Sequence, residues 1–65
     1  MNKFTLKGDW NQLKGKAKEK WGELTNDELE QMEGQSDQLV GALQKRYGLS
    51  VEEAEREVDE WNNAL

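Results

Sequence analysis

The chain is 65 residues long, 34% hydrophobic and 35% charged, with a formal net charge of −5 and neither histidine nor cysteine. These absences remove imidazole bases, thiolate nucleophiles and soft metal ligands, so we expect a non-enzymatic protein that uses no cofactor and no metal. The sequence has no apolar run of about 18 residues, no disulfide and no apolar signal-peptide start, which together predict one cytoplasmic domain with no membrane span.

The first predicted helix runs from Asp9 to Trp21. Its apolar residues recur at intervals of three and four and therefore share one face: Trp10, Leu13, Ala17 and Trp21. Asp9 is a suitable N-cap, and Gly22 is expected to end the helix. Lys18 and Lys20 lie where the helix dipole is negative, which favours this boundary.

A capping box opens the second predicted helix, since Thr25 is followed three residues later by Glu28. Leu24 and Leu29 stand at the two positions of a hydrophobic staple around this start. The helix is expected to be short and to end at Gly34. Its predicted inward residues are Leu29 and Met32.

The third predicted helix begins at Ser36 or Asp37 and ends at Gly48. Its apolar stripe consists of Leu39, Val40, Leu43 and Tyr47. We expect this stripe to face the core.

A second capping box, Ser50 with Glu53, opens the fourth predicted helix. The residues expected on its buried face are Val51, Ala54, Val58, Trp61 and Leu65. On the opposite face, Arg56 has Glu52 and Glu60 one turn away on either side, and we expect it to bridge them.

The chain contains an internal repeat. Residues 12–22 and 38–48 share the pattern Gln-Leu-x-Gly followed six residues later by an aromatic residue and glycine, and a capping box follows each copy. A unit of helix, turn and helix that occurs twice predicts an all-α, four-helix bundle of two packed α-hairpins, at about 9–33 and 36–63.

Charge is divided unevenly between the first and last predicted helices. The first carries four lysines: Lys14, Lys16, Lys18 and Lys20. The last is strongly acidic, so we expect the two helices to attract. The lysines are expected to cover the edges of the apolar stripe. The alternative, a basic strip for nucleic acid or an anionic membrane, is disfavoured by a pI of about 4.6.

Three tryptophans also permit two interpretations. They suit a stacking platform for bases, but each stands in an apolar stripe, where a large ring helps to build a small core. We therefore expect a structural role for Trp10, Trp21 and Trp61.

Gly15 and Gly41 are unusual because each lies in the middle of a predicted helix, away from the apolar stripe. A bare backbone there permits close approach by another helix or by a partner, and close packing predicts that alanine would destabilise the fold. Shared ancestry of the two copies is the alternative. The candidate interaction surface therefore comprises Lys14, Gly15, Lys16, Lys18, Lys20 and Gly41.

Four blocks of the chain resemble the CsbD-like bacterial stress-response family. They begin with Trp10-x-Gln-x-Lys-Gly-Lys-x-Lys-Glu-x-Trp-Gly-x-Leu-Thr25 and continue in residues 33–41, 44–48 and 54–61. The resemblance implies two orthogonally packed hairpins, similar to the arrangement of SAM domains, and induction in general stress. It implies no catalytic or ligand-binding residue, because none is established for the family.

The sequence as a whole predicts a monomeric, cytoplasmic general stress-response protein, acting as a hydrophilic protectant under osmotic or stationary-phase stress. A mean hydropathy of −1.12 is typical of a strongly hydrated surface. Two alternatives stay open: an adaptor that binds one protein partner, and a weak nucleic-acid or anionic-membrane binder that uses the first helix.

Overall fold

The computed structural model describes Leu6 and residues 8–65, and within that part of the chain all regular structure is helical. The described residues form four helices: α1 (Trp10–Lys20), α2 (Asn26–Met32), α3 (Ser36–Tyr47) and α4 (Val51–Asn63). The all-α prediction is therefore confirmed, together with the number of helices. None of these helices is long and apolar enough to cross a membrane.

The two ends of α1 differ in how well the sequence predicts them. The Asp9 carboxylate accepts the backbone N–H of Asn11 at 3.0 Å, as expected of an N-cap. The helix then ends at Lys20, and Trp21 is its C-cap, with an N–H that donates to the carbonyl of Ala17. Gly22 does not adopt a left-handed conformation, so its predicted role as a glycine terminator is wrong.

Both predicted capping boxes are present. The Glu28 N–H donates to Thr25 Oγ1 at 3.1 Å, and the Thr25 N–H donates back to the Glu28 carboxylate at 3.0 Å. Ser50 and Glu53 repeat the arrangement at 3.1 and 2.9 Å. Each box satisfies backbone donors that a helix start leaves unpaired, which explains why α2 and α4 begin where they do.

The turn between α2 and α3 departs from expectation by one or two residues. Glu33 already has a left-handed backbone, with φ of 52°, and Gly34 follows with φ of 81°. The helix therefore ends before Gly34. Helix α3 starts at Ser36, one of the two predicted starts, and its N-cap is Gln35, which makes no side-chain capping bond.

The core collects the apolar faces of all four helices. Helix α2 packs against α1 and α3, and α3 packs against α4. Buried apolar side chains come from each helix and from both segments flanking α1: Leu6, Leu13, Ala17, Trp21, Leu24, Leu29, Met32, Leu39, Val40, Leu43, Ala54, Val58 and Trp61. The rings of Trp21 and Trp61 meet edge to face, with centroids 5.1 Å apart. Trp10 is partly buried against the same cluster, so all three tryptophans have a structural role as predicted.

Three residues expected in the core are exposed instead. Tyr47, Val51 and Leu65 are 39%, 39% and 37% accessible. Tyr47 and Val51 are the last and first residues of their helices and Leu65 lies beyond the end of α4, so neighbouring helices do not cover them. The Tyr47 hydroxyl accepts the backbone N–H of Glu23 at 3.0 Å, which uses its polar end at the surface.

The expected bridge on α4 does not form. Within the described residues, Arg56 makes no ion pair with Glu52 or Glu60; the ion pairs found join α2 to its neighbours, as Lys14–Glu30 and Arg46–Glu28. Exposed pairs one helical turn apart gain little over hydration, so their absence has little energetic consequence.

Candidate functional site

The lysines of α1 lie along two edges of the helix. On one edge, Lys14 Nζ is 3.3 Å from a carboxylate oxygen of Glu30 on α2. On the same edge, Lys18 Nζ donates to the backbone carbonyls of Gly22 at 3.0 Å and Leu24 at 2.5 Å. Two of the four lysines thus have polar partners within the chain, and Lys18 ties α1 to the turn that follows it.

The other edge faces the C-terminal end of α4. Lys16 and Lys20 border a shallow groove of about 480 Å³ that also contains Trp61 and Leu65. The Lys20 ammonium lies 5.6 Å from the centroid of the Trp21 ring, within the range of a cation–π contact. The four lysines therefore do not share one continuous strip.

The expected attraction between α1 and α4 takes a different form from the one predicted. No lysine of α1 pairs with a carboxylate of α4 in the described part of the chain. The polar contact runs instead from the indole N–H of Trp21, the C-cap of α1, to Glu57 Oε1 at 2.9 Å. The attraction was predicted from the opposite net charges of the two helices. The contact that forms depends instead on the buried Trp21 ring and the Glu57 carboxylate.

Gly15 and Gly41 lie in two separate grooves, one on each side of α2. Gly15 lines a groove of about 370 Å³ between α1 and α2, together with Leu29. Gly41 lines a groove of about 280 Å³ between α2 and α3, together with Met32. A Cβ added at either glycine would meet no atom within 4 Å, so the expected close approach of another helix of this chain is wrong.

Glu28 forms a junction between α2 and α3, a contact that the sequence did not predict. Its carboxylate accepts from the Thr25 backbone and hydroxyl and from Arg46 Nε, which lies 3.1 and 3.2 Å from its two oxygens. The backbone bond from Thr25 and then the Arg46 guanidinium hold the pKa of Glu28 below its usual value. The Ser50 backbone likewise lowers the pKa of Glu53. Glu28 and Arg46 lie on different helices with a turn between them, so helical periodicity does not relate their positions and no local pattern indicates the pair.

The hydroxyl groups of the two capping boxes are engaged with backbone donors, and so is the carboxylate of Asp9. Among the described residues, no three aspartate or glutamate side chains are grouped as a metal site would require. The surface features with the most definite geometry are therefore the two glycine grooves beside α2 and the junction at Glu28.

Comparison with known proteins relates the chain to a family. The model of the family described as CsbD-like matches residues 5–56. A UPF0337 protein of Pectobacterium atrosepticum is 56% identical, over 97% of this chain and 91% of its own length. The UPF0337 protein YjbJ of Escherichia coli K12 is 52% identical, over 94% of this chain and 88% of the relative. A UPF0337 protein of Pseudomonas aeruginosa is 51% identical over the full length of both chains. The resemblance predicted from the sequence blocks is confirmed, and the names of these relatives state no molecular activity.

Proposed function

The chain belongs to the CsbD-like family, and we propose that it is a non-enzymatic, cytoplasmic protein of the general stress response that acts as a hydrophilic protectant. The observation that carries the proposal is the family match over residues 5–56. A protectant needs no specific binding site. It needs a stable, well-hydrated surface that is present at high concentration.

The distribution of polar and apolar groups supports this role. Among the described residues, most large apolar side chains belong to one core, and the exposed ones, Tyr47, Val51 and Leu65, lie at or just beyond helix ends. The mean hydropathy of −1.12 and net charge of −5 give the surface strong hydration and mutual repulsion between copies. Both properties favour a monomer that stays soluble when water activity falls.

The partners of Lys14 and Lys18 weigh against a nucleic-acid or membrane binder. Lys14 is neutralised by Glu30, and the Lys18 ammonium is occupied by two backbone carbonyls. A polyanion would have to displace these contacts to release counterions through either lysine. Lys16 and Lys20 alone offer a small basic footprint on an acidic protein.

The proposed architecture is the pair of packed hairpins at about 9–33 and 36–63, in the SAM-like arrangement that the family resemblance implies. Contact of α1 with α2 and of α3 with α4 supports it, as do the equivalent capping boxes that open α2 and α4.

An adaptor role is the second candidate, and one observation favours it. Gly15 and Gly41 leave bare backbone facing open grooves, at positions where alanine would strengthen an isolated helix. A partner that approaches these positions closely would account for both glycines. The candidate interaction surface thus remains Lys14, Gly15, Lys16, Lys18, Lys20 and Gly41.

Complementation separates the two roles. The protein would be expressed in Escherichia coli lacking YjbJ, and survival after osmotic shock and in stationary phase would be scored for the unaltered chain and for Gly15→Leu and Gly41→Leu. Glu60→Leu, at an exposed position of α4 outside both grooves, is the matched control. A protectant tolerates all three changes, and its effect rises in proportion to its concentration.

Loss of survival with either glycine variant but not with Glu60→Leu would favour the adaptor. Failure of the unaltered chain to improve survival at any expression level would refute a protective role.

A further inference from the structure

Helix α2 packs against α3 through its apolar face, and one carboxylate adds a polar link between the two helices. Glu28 closes the capping box of α2 and also forms the ion pair with Arg46, in the last turn of α3. We propose that Glu28 is an acid-sensitive latch: protonation of its carboxylate weakens the attachment of α2 to α3, while α3 and α4 stay packed. The proposal concerns a conformational property of the fold and is independent of the protective role.

The length of α2 makes it the helix that most needs such a fastening. It has seven residues, well below the roughly 12 to 15 residues at which an isolated helix becomes even marginally stable. Its last turn carries no basic residue to offset the helix dipole, and its C-cap, Glu33, is in the left-handed conformation. Its order therefore depends on contacts with its neighbours.

On the side facing α1, those contacts do not depend on Glu28. The Trp10 indole N–H donates to the Leu29 carbonyl at 2.7 Å, and Lys14 pairs with Glu30. On the side facing α3, the groove between the helices is lined by Glu28 and by Met32, whose side chain is buried. Loss of the Glu28 contact thus weakens the α3 side, while the contacts of α2 with α1 remain.

The charged groups around Glu28 determine how its protonation affects the contact with α3. Asp27 precedes it on its own helix, and α3 presents Asp37, Lys45 and Arg46 along the same groove. Lys14 and Lys18 of α1 face α2 from the opposite groove. Once Glu28 is neutral, Arg46 keeps its charge beside Lys45 with less acidic compensation, so the contact loses its attraction.

The pH range in which the latch opens follows from the direction of the pKa shift of Glu28. Thr25 and Arg46 lower the pKa of Glu28 in the folded chain, so its contribution to stability is complete above the usual glutamate value of about 4.5. The contribution is lost as the pH falls through the lower, native pKa. Opening is therefore expected below about pH 4.5.

The second capping box provides an internal comparison. Glu53 closes the Ser50 box in the same way, yet it makes no ion pair with another helix among the described residues. Arg56 lies near it and contributes only a weak lowering of the Glu53 pKa. Removing charge at Glu53 or Arg56 changes the net charge as much as removing it at Glu28 or Arg46, without cutting a link between helices.

Hydrogen exchange followed by mass spectrometry tests the latch. Protection factors of the α2 and α4 amides would be measured for the intact chain from pH 7 to pH 3.5, and for Glu28→Gln and Arg46→Gln with Glu53→Gln and Arg56→Gln as controls. Glutamine at position 28 keeps a neutral capping acceptor, since it serves at that position of a capping box. Oxidation of Met32 by dilute peroxide reports separately on exposure of the groove.

We expect Glu28→Gln and Arg46→Gln to lower α2 protection relative to α4 by about two- to fivefold at pH 7, as for loss of one exposed ion pair. Met32 should oxidise faster by a similar factor. Acid should lower the same ratio in the intact chain but not in Glu28→Gln. Equal loss of protection in all helices, or an unchanged α2 ratio in both latch variants, would overturn the proposal.

Discussion

Trp21 and Glu57 are joined across 36 positions of the sequence by one hydrogen bond, from the indole N–H to Oε1 at 2.9 Å. Trp21 is 3% exposed, so this carboxylate satisfies a polar group that solvent does not reach. The same ring meets Trp61 edge to face. The end of α1 is thereby fixed to α4, although the charged side chains of these two helices do not pair.

Replacing Glu57 by alanine should therefore destabilise the protein by about 1 to 3 kcal/mol, because the buried indole N–H loses its acceptor. Urea unfolding followed by circular dichroism measures the change. Glu57→Gln keeps an acceptor at this position and should lie close to the unaltered chain. In Trp21→Phe the Glu57 substitution should cost much less, and equal costs in both backgrounds would mean that the bond contributes nothing.

The two capping boxes should contribute similarly to stability. Thr25→Ala and Ser50→Ala are each expected to lower the free energy of unfolding by about 1 kcal/mol, since each removes the acceptor for a backbone N–H at a helix start. Chemical denaturation provides the measurement, with Gln31→Ala, an exposed position of α2, as the control. Midpoints unchanged in both cap variants would contradict the assigned roles.

Alanine at Gly15 or Gly41 should stabilise the fold by up to about 1 kcal/mol, because both positions are helical and a Cβ meets no atom within 4 Å. This reverses the effect expected from the sequence. Gly34→Ala is the contrasting change: its φ is 81°, and a Cβ there would lie 3.4 Å from Trp10 Cβ. Thermal unfolding should give the lowest midpoint for Gly34→Ala. A loss of stability on substitution of Gly15 or Gly41 would show that a methyl group is not accommodated in the groove.

Lys18 should matter more to stability than the other lysines of α1. Lys18→Met keeps much of the apolar stem but removes the ammonium that donates to the carbonyls of Gly22 and Leu24, and should cost about 1 kcal/mol. Lys16→Met, at an exposed position, is the matched control and should be nearly neutral. Denaturation midpoints that coincide for the two variants would mean that the hydrogen bonds of Lys18 do not stabilise the fold.

The protein should show no appreciable affinity for duplex DNA or anionic vesicles at physiological salt. Screening over about 8 Å confines attraction to local contacts, and of the four lysines of α1 only Lys16 and Lys20 lack an ion pair or backbone acceptor in the described structure. Tryptophan emission is a suitable probe, since Trp21 lies beside Lys20. A saturable shift that disappears in the Lys16→Gln, Lys20→Gln double variant would contradict this expectation.

The sequence predicted well whatever depends on neighbours along the chain. The capping boxes at Thr25 and Ser50 are local hydrogen-bonded units, so their spacing alone identifies two helix starts. The apolar stripes likewise predicted most of the core, because a helical period places residues three and four apart on one face. Errors occurred at helix ends, where Tyr47, Val51 and Leu65 were expected to be buried.

The candidate interaction surface illustrates what a sequence pattern leaves open. Equivalent positions in the two copies indicated that Gly15 and Gly41 share a role, but the folded chain places them in different grooves on either side of α2. Periodicity specifies the face of a helix that a residue occupies. It does not specify which other helix faces that residue.

The sequence by itself determined the helices, the capped starts of α1, α2 and α4, the apolar stripes and membership of the CsbD-like family, because each depends on residue types at short, regular spacings. Tertiary structure alone decided that Glu28 reaches Arg46 and that Trp21 reaches Glu57. These contacts join side chains from different segments, and their partners are chosen by the relative placement of packed helices, which no local period encodes.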